Sequence, residues 1–287
     1  MTHVMENTVR FSCGRYTLDL GKRTHVMGVL NLTPDSFYDG GKNPSLSEAL
    51  KKAERMVEEG ADIIDVGGES TRPGAVPLSV EEEMERILPV LREMGKRFSI
   101  PISVDTYKAE TARAALGEGA SIVNDVGGLH HDPAMARTVA EHQAGVVVMH
   151  MRGEPRTMQD APRYDHVMEE IKTYLSEGIE KGIEAGIGKN SFLVDPGIGF
   201  GKTFSHNVEI LKNLSFLLDL NKPILVGLSR KSFLGHLSGL AVEDRLEGSL
   251  AASVIAVLNG ANILRTHDVK ETKRAVEVAD LFKGRLP

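Results

Sequence analysis

Cysteine is nearly absent. The 287 residues hold one, Cys13. That excludes a disulfide framework and a cysteine-built metal site, and it makes the chain indifferent to redox compartment. Long apolar runs are missing too: stretches such as 144–149 fall far short of a membrane span. The opening MTHVMENTVR has no basic region followed by an apolar run, so no signal peptide is expected and the cytoplasm is the expected address. Positive charge is in the minority, with 34 Lys and Arg against 40 Asp and Glu and a net charge of -6. That balance weighs against nucleic acid or a membrane surface as the main partner, while leaving room for a local basic pocket. No linker, low-complexity tract or repeat interrupts the chain, so one domain over residues 1–287 is the economical expectation.

What is present is alternation. Short apolar, β-branched runs lie at 25–30, 61–67, 100–104, 121–126, 145–149, 192–194, 223–228 and 262–264. Most are bounded by Gly, Pro or polar residues, and uninterrupted runs of this length suit strands buried on both faces of a parallel sheet. Helix-like segments separate them at 47–59, 79–97, 108–118, 133–142, 163–185, 205–220, 243–259 and 270–282. Ser79 with Glu82 predicts a capping box. Asp132 before Pro133 predicts an N-cap with proline at the first helical position. Eight strand–helix units in series predict an α/β fold of the (β/α)8 TIM-barrel type. Residues 9–20 alternate weakly around Cys13-Gly14 and predict an N-terminal β-hairpin closing the bottom of the barrel.

Barrels of this type carry their active sites at the C-terminal ends of the strands. The runs end in Asn31, Asp65 with Glu69, Asp105, Asn124 with Asp125, His150, Asp195, Ser229-Arg230-Lys231, and Arg265 with His267. A helix cap or turn explains any one of these residues. It does not explain the set, since capping needs no Lys or His. The Gly/Pro-rich stretches after the first two runs, 31–41 and 67–74, have the composition of lids on hinges. Ser229-Arg230-Lys231 and Arg265-Thr266-His267 follow the seventh and eighth runs, where such barrels commonly bind phosphate. Two Arg, one Lys and one His supply N–H donors suited to a pyrophosphate.

Other features are quieter. Gly201-Lys202-Thr203 looks like a P-loop, but the required first glycine falls on Pro196, so a tight turn beside a flat ligand is the better reading. Adjacent His130 and His131 would point apart and read as surface loop residues. No His/Cys/Asp cluster has zinc spacing, the methionines read as core filler, and 151–164 is a polar loop with no chemistry derivable from its residues.

Asn31-Leu32-Thr33-Pro34-Asp35-Ser36-Phe37, Glu69-Ser70-Thr71-Arg72-Pro73-Gly74, Val104-Asp105-Thr106, Asn124-Asp125, Met149-His150-Met151, Asp195-Pro196-Gly197, Ser229-Arg230-Lys231-Ser232 and Arg265-Thr266-His267-Asp268 together resemble the successive signatures of bacterial dihydropteroate synthases. The resemblance runs in order from about Met27 to the C-terminus. It implies condensation of a dihydropterin pyrophosphate with p-aminobenzoate in folate biosynthesis. It further implies that Asp105, Asn124, Asp195 and Lys231 hold the pterin, with Met149 and Arg265 packed around it. Asn31, Thr71, Arg265 and His267 would take the pyrophosphate and its Mg2+, with Asn31 nearest the metal. Thr33, Pro34, Phe37, Ser70, Thr71, Arg72, Pro73, Phe200, Lys231 and Ser232 would shape the p-aminobenzoate pocket. Asp35, Asp105, Lys231, Arg265 and His267 would carry the catalysis. A homodimer through the late helices and susceptibility to sulfonamides are further family properties. One departure lies at 127–131, Gly-Gly-Leu-His-His, which would loosen the loop after the fourth strand.

Two other readings share part of this pattern. A methyltransferase serving a corrinoid would use the Asp105/Asn124/Asp195 recess, but it would need neither the cationic cluster nor the 33–37 loop. A pterin-binding module without turnover would bind the pterin and release no pyrophosphate.

Overall fold

In a computed structural model the chain is described over residues 9–33, 46–70, 76–153, 157–236 and 239–285. Two short strands, β1 (Arg10–Cys13) and β2 (Tyr16–Asp19), pair antiparallel as a hairpin. Eight further strands form a closed parallel barrel: β3 (His25–Asn31), β4 (Ile63–Gly67), β5 (Ile102–Asp105), β6 (Ile122–Asp125), β7 (Gly145–Met149), β8 (Phe192–Asp195), β9 (Ile224–Gly227) and β10 (Ala261–Thr266). The ring closes where β10 pairs with β3.

The helices are α1 (Leu46–Glu58), α2 (Val80–Arg97), α3 (Ala109–Gly117), α4 (Met135–Glu141), α5 (Val167–Glu184), α6 (Phe204–Lys212), α7 (Ser232–Gly235), α8 (Leu246–Leu258) and α9 (Val269–Phe282). Seven of the eight barrel strands give alternate residues to two apolar cores, because side chains on a strand alternate faces; β5, whose Ile102 and Val104 join the outer core, places the buried Ser103 between them. Outward residues such as Val66, Val104, Val123, Val148, Val194 and Val226 pack under the helices. Inward residues Met27, Ile63, Ile122, Val147, Leu193, Leu225 and Ile263 form a separate floor.

That floor is completed by the hairpin, as the sequence predicts. Phe11, Cys13 and Leu20 are fully buried against it. Ser12 N–H donates to Asn190 O at 2.8 Å and Gly14 N–H to Gln143 O at 2.9 Å, which ties the hairpin to the segments entering β8 and β7. Phe11 comes so close that a Cβ on Gly145 would fall 2.5 Å from its ring. Among the described residues no helix is long and apolar enough to cross a membrane.

Several helix boundaries differ from the sequence reading, among them the start of α5, which begins at Val167 and not at 163. The Ser79/Glu82 capping box forms as expected. By contrast α4 starts at Met135, two residues beyond Pro133. Asp132 still accepts from Ala134 N–H at 2.9 Å, as a cap would, but its other oxygen accepts from Ala109 N–H at 2.8 Å, at the start of α3. The predicted 205–220 helix breaks after Lys212 and continues as a 3-10 turn over Leu214–Leu220. Asn213 donates its side-chain amide back to Glu209 O, the kind of local competition that ends a helix. The predicted 243–259 helix likewise divides into a 3-10 turn, Val242–Asp244, and α8.

Candidate active site at the barrel mouth

The parallel register lines up the strand ends. Asn31 lies opposite Gly67, Gly67 opposite Asp105, and Asp105 opposite Asn124. Met149 lies opposite Asp195, and Arg265 opposite Gly227. Ile122, Val147, Leu193 and Ile263 point into the floor, so Asn124, Met149, Asp195 and Arg265, two residues further on, point into the mouth. At Gly67 an added Cβ would sit 3.5 Å from Asp105 Cβ and 3.6 Å from Asn31 Oδ1, so both side chains flank bare backbone there.

Arg265 organises the centre. Its Nε donates to Asp65 Oδ2 and its Nη2 to Asp105 Oδ2, each at 2.6 Å. Asn124 Nδ2 donates to the same Asp65 oxygen at 3.1 Å. Asp65 is fully buried, and among the described residues its Oδ1 finds no partner; Asp105 Oδ1 and Ser103 Oγ are also buried with no partner among the described residues. Leaving such groups unpaired costs about 1–3 kcal/mol apiece, so a ligand that pairs with them gains both affinity and selectivity. Burial pushes the Asp105 carboxyl well above the usual carboxylate range, Arg265 opposes the shift and Asp65 adds to it. Burial likewise raises Asp195, against the charge of Lys231.

Lys231 stands across the mouth. Its Nζ donates to Ile198 O and lies 4.8 Å from the centre of the Phe200 ring. Burial lowers its pKa to about 8, with Asp195 pulling the other way. On the rim, the His267 ring lies 3.0 Å from Ser229 Oγ. The residue is exposed at the rim, and desolvation by its surroundings, followed by the charge of Arg265, holds its pKa below the ordinary histidine value. Ser232 is exposed at the start of α7.

Most of the expected site residues within the described segments meet at this mouth: Asn31, Asp105, Asn124, Met149, Asp195, Phe200, Lys231 and Arg265, with His267 and Ser232 on the rim. Thr33 and Ser70 end the segments leading to the first two loops. Pro34, Asp35, Phe37, Thr71, Arg72 and Pro73, and with them the lid reading of both loops, lie outside the described residues.

Several readings need correction. Arg230 is no free pyrophosphate donor: its guanidinium forks onto Asp268 at 3.0 and 2.7 Å. His130 is no idle surface residue: its ring stacks on Tyr174 at 4.0 Å, Nε2 meets Tyr174 O, and Nδ1 meets Lys181 Nζ. His131 is exposed, as read. The Gly127-Gly128 loop is not loose. Asp125 accepts from Gly127 N–H and Leu129 N–H, and Tyr174 OH donates to Gly127 O. Glycine is required there, since Gly128 has φ +61° and a Cβ would lie 2.5 Å from Met149 O. The 157–164 part of the polar loop also engages the site: the Gln159 amide and Tyr164 OH donate to Gly199 O and Gly201 O.

The sequence reading placed Asp65 among the strand-end candidates but gave it no ligand to hold, and it gave Lys202 no site role. Lys202 is buried, with Nζ 2.9 Å from both Phe200 O and His150 Nδ1. Burial drives its pKa well below the ordinary amine value.

Among the described residues no group of three or more His, Cys, Asp and Glu is placed to hold a metal. Asn31 Oδ1, a hard oxygen beside the bare backbone of Gly67, suits a cation such as Mg2+ that keeps water and phosphate oxygens as its other ligands.

Known proteins resemble this chain in sequence and in fold. The family model described as pterin binding enzyme matches residues 27–267. Dihydropteroate synthase of Escherichia coli (strain K12) is 50% identical over 264 residues, covering 92% of this chain and 93% of its own. The crystal structure of Yersinia pestis dihydropteroate synthase with a sulfonamide drug complex superposes with a TM-score of 0.91 at 44% identity, covering 96% of this chain and 99% of that one. The Xanthomonas albilineans dihydropteroate synthase in complex with 7,8-dihydropteroate superposes at 0.86 with 41% identity, covering 97% and 100%.

Proposed function

Since the chain belongs to the pterin-binding enzymes, with dihydropteroate synthases as relatives over nearly its whole length, we propose that it joins a dihydropterin pyrophosphate to p-aminobenzoate, giving dihydropteroate and diphosphate in folate biosynthesis. The observation that carries the assignment is the convergence, at one mouth, of Asp105, Asn124, Asp195 and Lys231 around the Arg265–Asp65 pair.

A pterin presents an edge of amide and amine groups. Asp105, Asp195 and the Asn124 carboxamide offer acceptors and donors to that edge in a buried setting, where a mismatch is costly. Met149 and Arg265 pack against the ring. The carbon–oxygen bond to diphosphate breaks and the electron pair leaves with the diphosphate. Arg265 and His267, with Thr71 by resemblance, stabilise the departing charge. Asp35 is assigned, again by resemblance, to the dihydropterin cation left behind. The aniline nitrogen then forms the new carbon–nitrogen bond and gives up one proton to solvent. It is nucleophilic enough to need little general-base help. Asn31 and the diphosphate would hold Mg2+, which neutralises charge on the leaving group. Thr33, Pro34, Phe37, Ser70, Arg72, Pro73, Phe200 and Ser232 shape the p-aminobenzoate pocket, the place where a sulfonamide would compete.

The assembly we propose is a homodimer in the cytoplasm, each chain acting as one domain. Ile255 and Leu258 of α8 and Val278, Leu281 and Phe282 of α9 are exposed apolar side chains on neighbouring helices, which supports self-association through that face. The test of function is diphosphate release from dihydropterin pyrophosphate with and without p-aminobenzoate. Release stimulated by p-aminobenzoate, with dihydropteroate formed in equal amount, is expected. Pterin binding without stimulated release would overturn it.

A further inference from the structure

The segment carrying Phe200 is held by an unusual succession of bonds. Four consecutive carbonyls, those of Ile198, Gly199, Phe200 and Gly201, each accept from a different side chain: Lys231, Gln159, Lys202 and Tyr164 in turn. The Lys202 contact is 2.9 Å and the Tyr164 contact 2.8 Å. On the other side, Gly199 N–H donates to Asn207 Oδ1 at 2.8 Å and Phe200 N–H to Gly197 O at 3.0 Å. A phenylalanine has no polar group by which to be aimed. Its ring can be fixed only through its backbone and its packing, and here the backbone is fixed on both sides.

Two of the donors, Gln159 and Tyr164, come from the loop after β7. The third, Lys202, is a buried amine, and burying an amine is costly without compensating partners. It finds them on two loops at once, since Nζ also lies 2.9 Å from His150 Nδ1 and 3.4 Å from His150 O. Lys202 therefore fastens the end of β7 to the Phe200 segment. Lys231 Nζ in turn lies over the Phe200 ring, 4.8 Å from its centre.

From this arrangement we infer that Gln159, Tyr164 and Lys202 are positioning residues for p-aminobenzoate: they set the place of the Phe200 ring, and through it the affinity and selectivity of that subsite. The inference rests on the synthase reading above. It adds that the loop after β7 belongs to the second substrate's recognition although it need not touch that substrate.

The test uses Tyr164→Phe, which removes one hydroxyl, and Gln159→Leu, with Lys202→Met as a harsher third variant. Steady-state kinetics should show KM for p-aminobenzoate rising about threefold to tenfold in each, the scale of one lost hydrogen bond. KM for dihydropterin pyrophosphate and kcat should stay within about twofold. The effect of Tyr164→Phe should vanish in a Phe200→Leu background, because side chains acting through one another are not additive. An unchanged KM for p-aminobenzoate in both Tyr164→Phe and Gln159→Leu, or a Tyr164→Phe effect that persists undiminished in Phe200→Leu, would overturn the inference. Wild-type protein serves as the control: if it shows no release dependent on p-aminobenzoate, the synthase reading itself is at fault.

Discussion

Lys231 sits where the carboxylate floor meets the Phe200 wall, and its charge state decides whether the two act as one site. Burial lowers its pKa to about 8, while Asp195 resists the shift. The sign follows directly: the ammonium is present below about pH 8 and is lost as pH rises through that value. We expect kcat/KM for dihydropterin pyrophosphate, which reports the free enzyme, to fall above about pH 8. Lys231→Arg keeps its proton throughout, so its profile should stay flat where the wild type declines. Superimposable alkaline limbs would remove Lys231 from that role. At this scale much of the site was legible, because Asn31, Asp105, Asn124, Asp195 and Arg265 all end apolar runs. Asp65 was harder to assign, since its meaning depends on Arg265, a residue 200 positions away that reaches it only through ring closure. Gln159, Tyr164 and Lys202 were illegible for another reason: they bind backbone carbonyls, and every residue has one.

The β1–β2 hairpin shows what a small element contributes. Phe11 is fully buried between the seven inward floor residues and the bare backbone of Gly145. Phe11→Ala should therefore lower unfolding stability by about 3–5 kcal/mol, as cavity-forming core substitutions do. Urea denaturation measures this, and a loss no larger than that of a surface substitution would mean the hairpin merely lies against the barrel. The eight strand–helix units were readable because buried parallel strands are continuously apolar and their helices are striped. The helix ends were less so. Asp132 and Asn213 make side-chain bonds that compete with the helix, and sequence spacing does not show which partner wins.

For the whole molecule, the exposed face of α8 and α9 is the feature that the monomer leaves unexplained. Phe282 is 79% exposed and Leu281 54%. Leu281→Glu should turn a homodimer into monomers in sedimentation velocity, with the helical circular dichroism signal kept. A wild-type protein that sediments as a monomer at micromolar concentration would end the proposal. The plugged lower end has a bearing on traffic. With Phe11, Cys13 and Leu20 corking the barrel, both substrates and both products share one doorway. Entry and exit then compete for the same opening, so a product still resting on the carboxylates keeps the next substrate out until it departs.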